Sequence, residues 1–141
     1  MNSPILAPVI ALVGWTLVVM VWMLVARLRA AKHADPASMS KPGMRGVDLE
    51  GVLPDKAQWP SHNYNHLMEQ PTIFYAVALV LALAGGGGGT DLILAWAYMG
   101  LRVVHSLVQA TINNVTIRFP LWALSSLVLI ALTVRAAMLV F

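Results

Sequence analysis

The chain has no cysteine in its 141 residues, and only 11% of them are charged. The lack of cysteine excludes disulfides, a thiolate nucleophile supplied by the protein and any cysteine-ligated metal. The scarcity of charge excludes an ordinary soluble domain, in which about 25% of residues are charged. Residues 1–26 carry no charge at all. The cations that are present are scattered rather than gathered into a stripe, so no nucleic-acid partner is expected. What remains is 59% hydrophobic, with a mean hydropathy of +0.74. No segment between the apolar runs is long enough to bury a core of its own. The expectation is one integral membrane domain, residues 1–141, in contact with the lipid bilayer.

The fold class expected is all-α, a membrane four-helix bundle. The first span, about 4–27, ends in the basic run Arg27-Leu28-Arg29-Ala30-Ala31-Lys32. A cleaved signal peptide would carry its charge before the apolar run, so none is expected. Residues 32–60 hold Pro36, Pro42, Gly43, Gly46, Gly51, Pro54 and Pro60 with charges of both signs, which reads as a loop. The second span is about 61–84, and Gly85 to Gly89 form a turn too flexible to be helical. Asp91 suits the first turn of the third span, about 91–113. Asn113 and Asn114 can end that helix. Residues 114–119 then connect to a fourth span, about 120–141, with Pro120 in its first turn. Lys32, Lys41, Arg45, Lys56 and Arg118 fall on one side of the bundle, whereas the pentaglycine turn has no base. The positive-inside rule puts the loop in the cytoplasm and both termini outside. Arg135 is the one dissenting cation, able to snorkel outward. No repeat or heptad pattern shows in the apolar residues, and the five tryptophans read as interface or packing residues.

The second span is not uniformly apolar. Pro71 to Ala84 would be only about 21 Å long as a helix, short of a hydrocarbon core of roughly 30 Å. The span must therefore include the polar run that starts near Ser61, which places Glu69 about 12 Å below the surface. A carboxylate at that depth is a functional candidate. His62, His66 and Glu69 share one helix face by their spacing, with Asn65 at its border. Arg102, His105 and Gln109 share a face of the third span at matching depth. Glu69 and Arg102 are expected to pair, either to fix helix packing or to build a site. Arg118 sits at the interface, where it serves as a topology anchor or as an anion-binding group. Pro71 frees the carbonyl of Leu67, giving a kink or an extra acceptor. The spacing of His62, His66 and Glu69 also suits a helix-borne metal site, but Arg102 competes for the carboxylate and no fourth ligand is evident. No metal is expected.

The ordered set Asn65-His66-Leu67-Met68-Glu69-Gln70-Pro71, Arg102-Val103-Val104-His105 and Arg118-Phe119-Pro120 resembles the MAPEG proteins, the membrane-associated proteins of eicosanoid and glutathione metabolism, in a bacterial-type form. The resemblance covers nearly the whole chain. It implies a homotrimer with glutathione as co-substrate, bound between subunits near the cytoplasmic face of a bacterial inner membrane. It implies glutathione contacts from Glu69, Asn65, His66, Arg102, His105 and Gln109, with Glu69 on the ammonium group. It makes Arg118 the catalytic residue that stabilises the thiolate, and a hydrophobic small molecule the second substrate. Three positions depart from the family pattern. His66 stands where asparagine is usual, His62 occupies a site where an arginine is common, and Gln109 replaces a tyrosine.

Two functions follow. One is a glutathione-dependent transferase or peroxidase acting on lipophilic electrophiles. The other is a non-catalytic relative that binds a lipid or small amphiphile, which the three altered positions favour. A small four-helix exporter is disfavoured, because such exporters carry a carboxylate in the first span and this one has none.

Overall fold

In the computed structural model, which describes residues 3–141, the chain forms α1 (Leu6–Ala31), a short α2 (Pro36–Met39), α3 (Asp55–Leu83), α4 (Thr90–Thr111) and α5 (Val115–Val140). A single 3-10 turn, Gly46–Leu49, interrupts the α2–α3 loop. Among the described residues, α1, α3, α4 and α5 are long and apolar enough to cross a membrane. The protein is thus a multi-pass membrane protein of four helices. The α3–α4 pair forms the centre, and each of these two helices packs against both α1 and α5.

Two helix starts lie earlier than the sequence pattern suggests, and a proline accounts for each. Helix α3 begins at Asp55 rather than near Ser61, and Pro60 lies inside it. Helix α5 begins at Val115 rather than at Pro120. Each proline is the sixth residue of its helix, so it forfeits only the bond to one carbonyl near the helix end, that of Lys56 or Thr116. Asn114 is the better start signal. Its Oδ1 accepts the Thr116 N–H at 2.9 Å, capping α5. The connection between α4 and α5 is therefore residues 112–114, and Arg118 lies in the first turn of α5. Helix α3 also runs through Pro71 to Leu83.

The glycine turn is ordered by specific bonds. Gly85 takes a φ of 83°, and the Gly86 N–H returns to the Leu81 carbonyl at 2.9 Å, which closes α3. Gly87, at φ 89°, donates its N–H to Asp91 Oδ2 at 2.9 Å. The other oxygen of Asp91 receives Arg135 Nε from α5. Arg135 is thus paired, not merely snorkelling. Ser3 Oγ donates to the Gly86 carbonyl at 3.3 Å. The glycine turn, the start of α1 and the end of α5 therefore meet at one end of the bundle.

Burial follows a spacing that the apolar residues alone conceal. The buried residues of α4 include Asp91, Ala95, Tyr98, Arg102, His105 and Gln109, alternating by four and three, and α5 repeats this with Ser125, Leu129, Leu132 and Ala136. That is the seam of left-handed helix packing. Leu67, Phe74, Ala78 and Leu81 of α3 fill the core between them, and Phe74 stacks on Tyr98 with ring centres 4.5 Å apart.

Candidate functional site

The buried seam of α4 becomes polar towards the end opposite the glycine turn, and a site forms where α3 and α5 flank it. His66 from α3, His105 and Gln109 from α4, and Val115, Arg118, Phe119 and Trp122 from α5 line a cleft of about 360 Å³. The His66 and His105 rings meet edge to face with centres 4.9 Å apart, so the two helices are level at this point.

Arg118 is held over the cleft by a local device. Asn113 ends α4 in the left-handed region at φ 52°, its N–H returning to the Val108 carbonyl at 2.7 Å. Asparagine tolerates that conformation better than most residues. Its side-chain Oδ1 then accepts Arg118 Nη1 at 2.7 Å. Helix termination and arginine positioning are thus performed by one residue.

Arg102 lies deeper and is fully buried. The sequence suggests that it pairs with Glu69, but no such pair forms among the described residues. Arg102 Nη2 instead donates to the His66 carbonyl at 3.2 Å and lies 3.4 Å from His66 Nδ1. Glu69 Oε2 lies 3.4 Å from that same nitrogen, and the Glu69 side chain is 71% exposed. His66 therefore stands between the two charges. The cause is the seam: it turns Arg102 into the bundle, while Glu69 lies on the open face of α3 beside Met68 and Thr72. Arg102 Nε and Nη1 and Gln109 Oε1 are buried without a hydrogen-bond partner. Of these two residues only Gln109 lines the cleft, and Arg102 lies behind it; unpaired buried donors and acceptors are groups that water or a ligand can satisfy.

The remaining sequence candidates go elsewhere. Asn65 lines a second cleft, about 350 Å³, with Arg27, Glu50, Ser61 and Tyr64. Arg27 is anchored there by Gln58 Oε1 at 3.1 Å, Ser61 Oγ at 2.6 Å and the Gly46 carbonyl at 3.0 Å. His62 Nε2 turns to Glu50 Oε1 at 3.0 Å rather than towards His66 and Glu69. Shared helix spacing brings three residues to one face, but only His66 and Glu69 stay beside each other, and His62 finds its partner in the loop.

Several contributors were not legible in the sequence. Trp122, which reads there as a packing residue, forms an apolar wall of the cleft, with the Phe119 ring 5.9 Å from its own. Ser106 accepts from Asn63 Nδ2 at 2.5 Å and from Trp15 Nε1 at 2.9 Å, which locks α1, α3 and α4 together behind His105. The only available cue was a serine next to the Arg-x-x-His set.

A tethered arginine, two touching imidazoles and an amide beside two aromatic rings, with the buried Arg102 behind them, are groups whose chemistry suits an anionic, partly apolar ligand. The family model of the MAPEG family matches residues 5–138, nearly the entire chain. The chain belongs to the MAPEG family. Neither a curated protein nor a solved structure matches it. The MAPEG match embraces α1, α3, α4, all but the last two residues of α5, both clefts and the glycine turn, so no part of the site lies outside the shared region.

Proposed function

We propose that this MAPEG protein is a membrane-bound, glutathione-dependent transferase or peroxidase acting on lipophilic electrophiles. The observation that carries this reading is the His66–His105–Gln109–Arg118 cleft, walled by Phe119 and Trp122. Glutathione brings two carboxylates, an ammonium and a thiol. Arg102, Arg118, His105 and Gln109 complement its acidic and amide groups, and Glu69 complements the ammonium. A thiol beside the Arg118 cation loses its proton more readily, and thiolate is the reactive form. The thiolate sulfur attacks the electrophilic carbon, a C–S bond forms, and the displaced group leaves with the electron pair. The apolar wall admits the second substrate from the bilayer.

The working unit in this proposal is a homotrimer, with glutathione held between neighbouring subunits. Glu69 is mostly exposed in the single chain, and Asn65 faces the other cleft. Both are positioned to serve a ligand shared with a neighbouring copy. The site lies at the end of the bundle that carries the base-rich loop, which the positive-inside rule assigns to the cytoplasm of a bacterial inner membrane, with both termini outside. Calorimetry of glutathione binding to the purified protein, with ultraviolet detection of the thiolate, tests the reading. Saturable binding and conjugation of at least one lipophilic electrophile are expected. Binding of long-chain amphiphiles without any glutathione binding or glutathione-dependent activity would replace the enzyme with a non-catalytic amphiphile-binding MAPEG protein.

A further inference from the structure

His66 occupies the position at which the resemblance leads one to expect asparagine, and its surroundings give the substitution a purpose. The ring Nδ1 lies 3.4 Å from both Arg102 Nη2 and Glu69 Oε2. Both distances are long for a hydrogen bond, so the ring is committed to neither partner. Arg102 has a shorter alternative in the His66 carbonyl, at 3.2 Å. When Arg102 uses the carbonyl, Nδ1–H is free to donate to Glu69. Nε2 then carries the lone pair, and the side chain lines the cleft that Arg118 overhangs. Among the described residues, no hydrogen bond occupies Nε2. A carboxylate on one ring nitrogen and a free lone pair on the other is the arrangement of an imidazole base. An asparagine at this position has no basic nitrogen.

We propose that His66, positioned by Glu69, accepts the thiol proton of bound glutathione and retains it as an imidazolium while the thiolate reacts. The step is balanced. The S–H bond breaks, its electron pair stays on sulfur, and the proton forms an N–H bond at Nε2. After sulfur attacks the electrophile, that proton is available to the leaving group. This proposal rests on the glutathione reading above. The charged and titratable groups around the ring are Glu69 on α3, Arg102 and His105 on α4, and Arg118 on α5. The one α1 arginine that faces α3, Arg27, is engaged by Gln58, Ser61 and Gly46.

The test counts protons. Binding heats of glutathione are measured at neutral pH in buffers of different ionisation enthalpy, alongside the thiolate absorbance, with S-methylglutathione as the thiol-free control. The wild type is expected to form thiolate while releasing little proton to the buffer. His66→Asn, which installs the residue the resemblance leads one to expect, should either lose most of the thiolate signal or form it with release of a full proton. Glu69→Ala at saturating glutathione should behave like His66→Asn, because Nδ1 is then left to Arg102 and the ring proton moves to Nε2. A purely structural role for Glu69 would not change the proton count. His66→Gln serves if the asparagine variant does not fold. Full proton release by the wild type, or the same thiolate signal and proton count in wild type and His66→Asn, would overturn the proposal while leaving the glutathione reading intact. Absence of any glutathione binding by the wild type overturns both.

Discussion

The two ends of the α4 seam treat buried charge in opposite ways. At the glycine turn, Asp91 is satisfied on both oxygens, by Arg135 and by the Gly87 N–H. About 16 Å along the same helix, counted from Asp91 to Arg102, Arg102 is fully buried, has no carboxylate within ion-pair distance among the described residues and leaves two of its three nitrogens without partners. A closed pair of charges holds helices together, and the open one is where the proposed function puts a ligand. Both charges sit at the same kind of position in the seam, so burial alone does not tell them apart; the completeness of the partner set does.

The largest effect on stability is expected at the closed end. Arg135→Ala leaves a nearly inaccessible carboxylate unpaired. Loss of one member of a buried pair costs about 3–5 kcal/mol, and the partial exposure of Arg135 places this case at about 3. Unfolding in detergent titrated with a denaturing surfactant would measure it, and glutathione affinity of the surviving folded protein should be unchanged. If Arg135→Ala unfolds like the wild type, the closed end is not a clamp.

At the open end the largest effect should fall on chemistry. Arg118→Ala is expected to reduce conjugation of a lipophilic electrophile by about a hundredfold, the scale for one donor aimed at developing negative charge, while expression and oligomeric state stay nearly intact. Retention of full activity would move the role to Arg102 or His105. A smaller loss isolates the tether. Asn113→Gly keeps the left-handed backbone available and removes only the bond to Arg118, so activity should fall by about tenfold, the low end of the value of one hydrogen bond to a charged group. A change in helix content by circular dichroism would instead mean that the side chain is needed for termination.

The smallest expected change in stability is the most discriminating. Arg102→Leu replaces an incompletely partnered buried cation with an apolar side chain. Such replacements are often neutral or stabilising, so the shift should stay within about 1 kcal/mol. Ligand binding should nonetheless collapse. A loss as large as that from Arg135→Ala would erase the contrast between the two ends.

The four spans, the loop and the glycine turn were readable because hydropathy, prolines and glycines report local conformation directly. The starts of α3 and α5 were not, since Pro60 reads as a loop residue and Pro120 as a first-turn residue although a helix tolerates both one turn later. The seam was hidden for a different reason. In a bilayer the outward faces are also apolar, so burial leaves no hydropathy contrast, and in α4 the inward face is the more polar one. Helix periodicity placed His66 with Glu69 and Arg102 with His105, but it carries no information about distances between helices. The Arg102–His66–Glu69 order and the Asp91–Arg135 pair, 44 residues apart in sequence, could come only from the packed structure.

The glycine turn has a practical consequence for testing the proposed sites one at a time. Ser3 bonds to the Gly86 carbonyl, and the Leu139 side chain lies against Gly86 as well, so both ends of the described chain converge on one residue. Copies of this chain can therefore be joined head to tail through a flexible linker, with each junction emerging at the face away from the clefts. A tandem polypeptide of this kind allows His66→Asn or Arg118→Ala to be placed in one repeat at a time. Its activity would show whether each site fires independently or whether one damaged repeat silences the others.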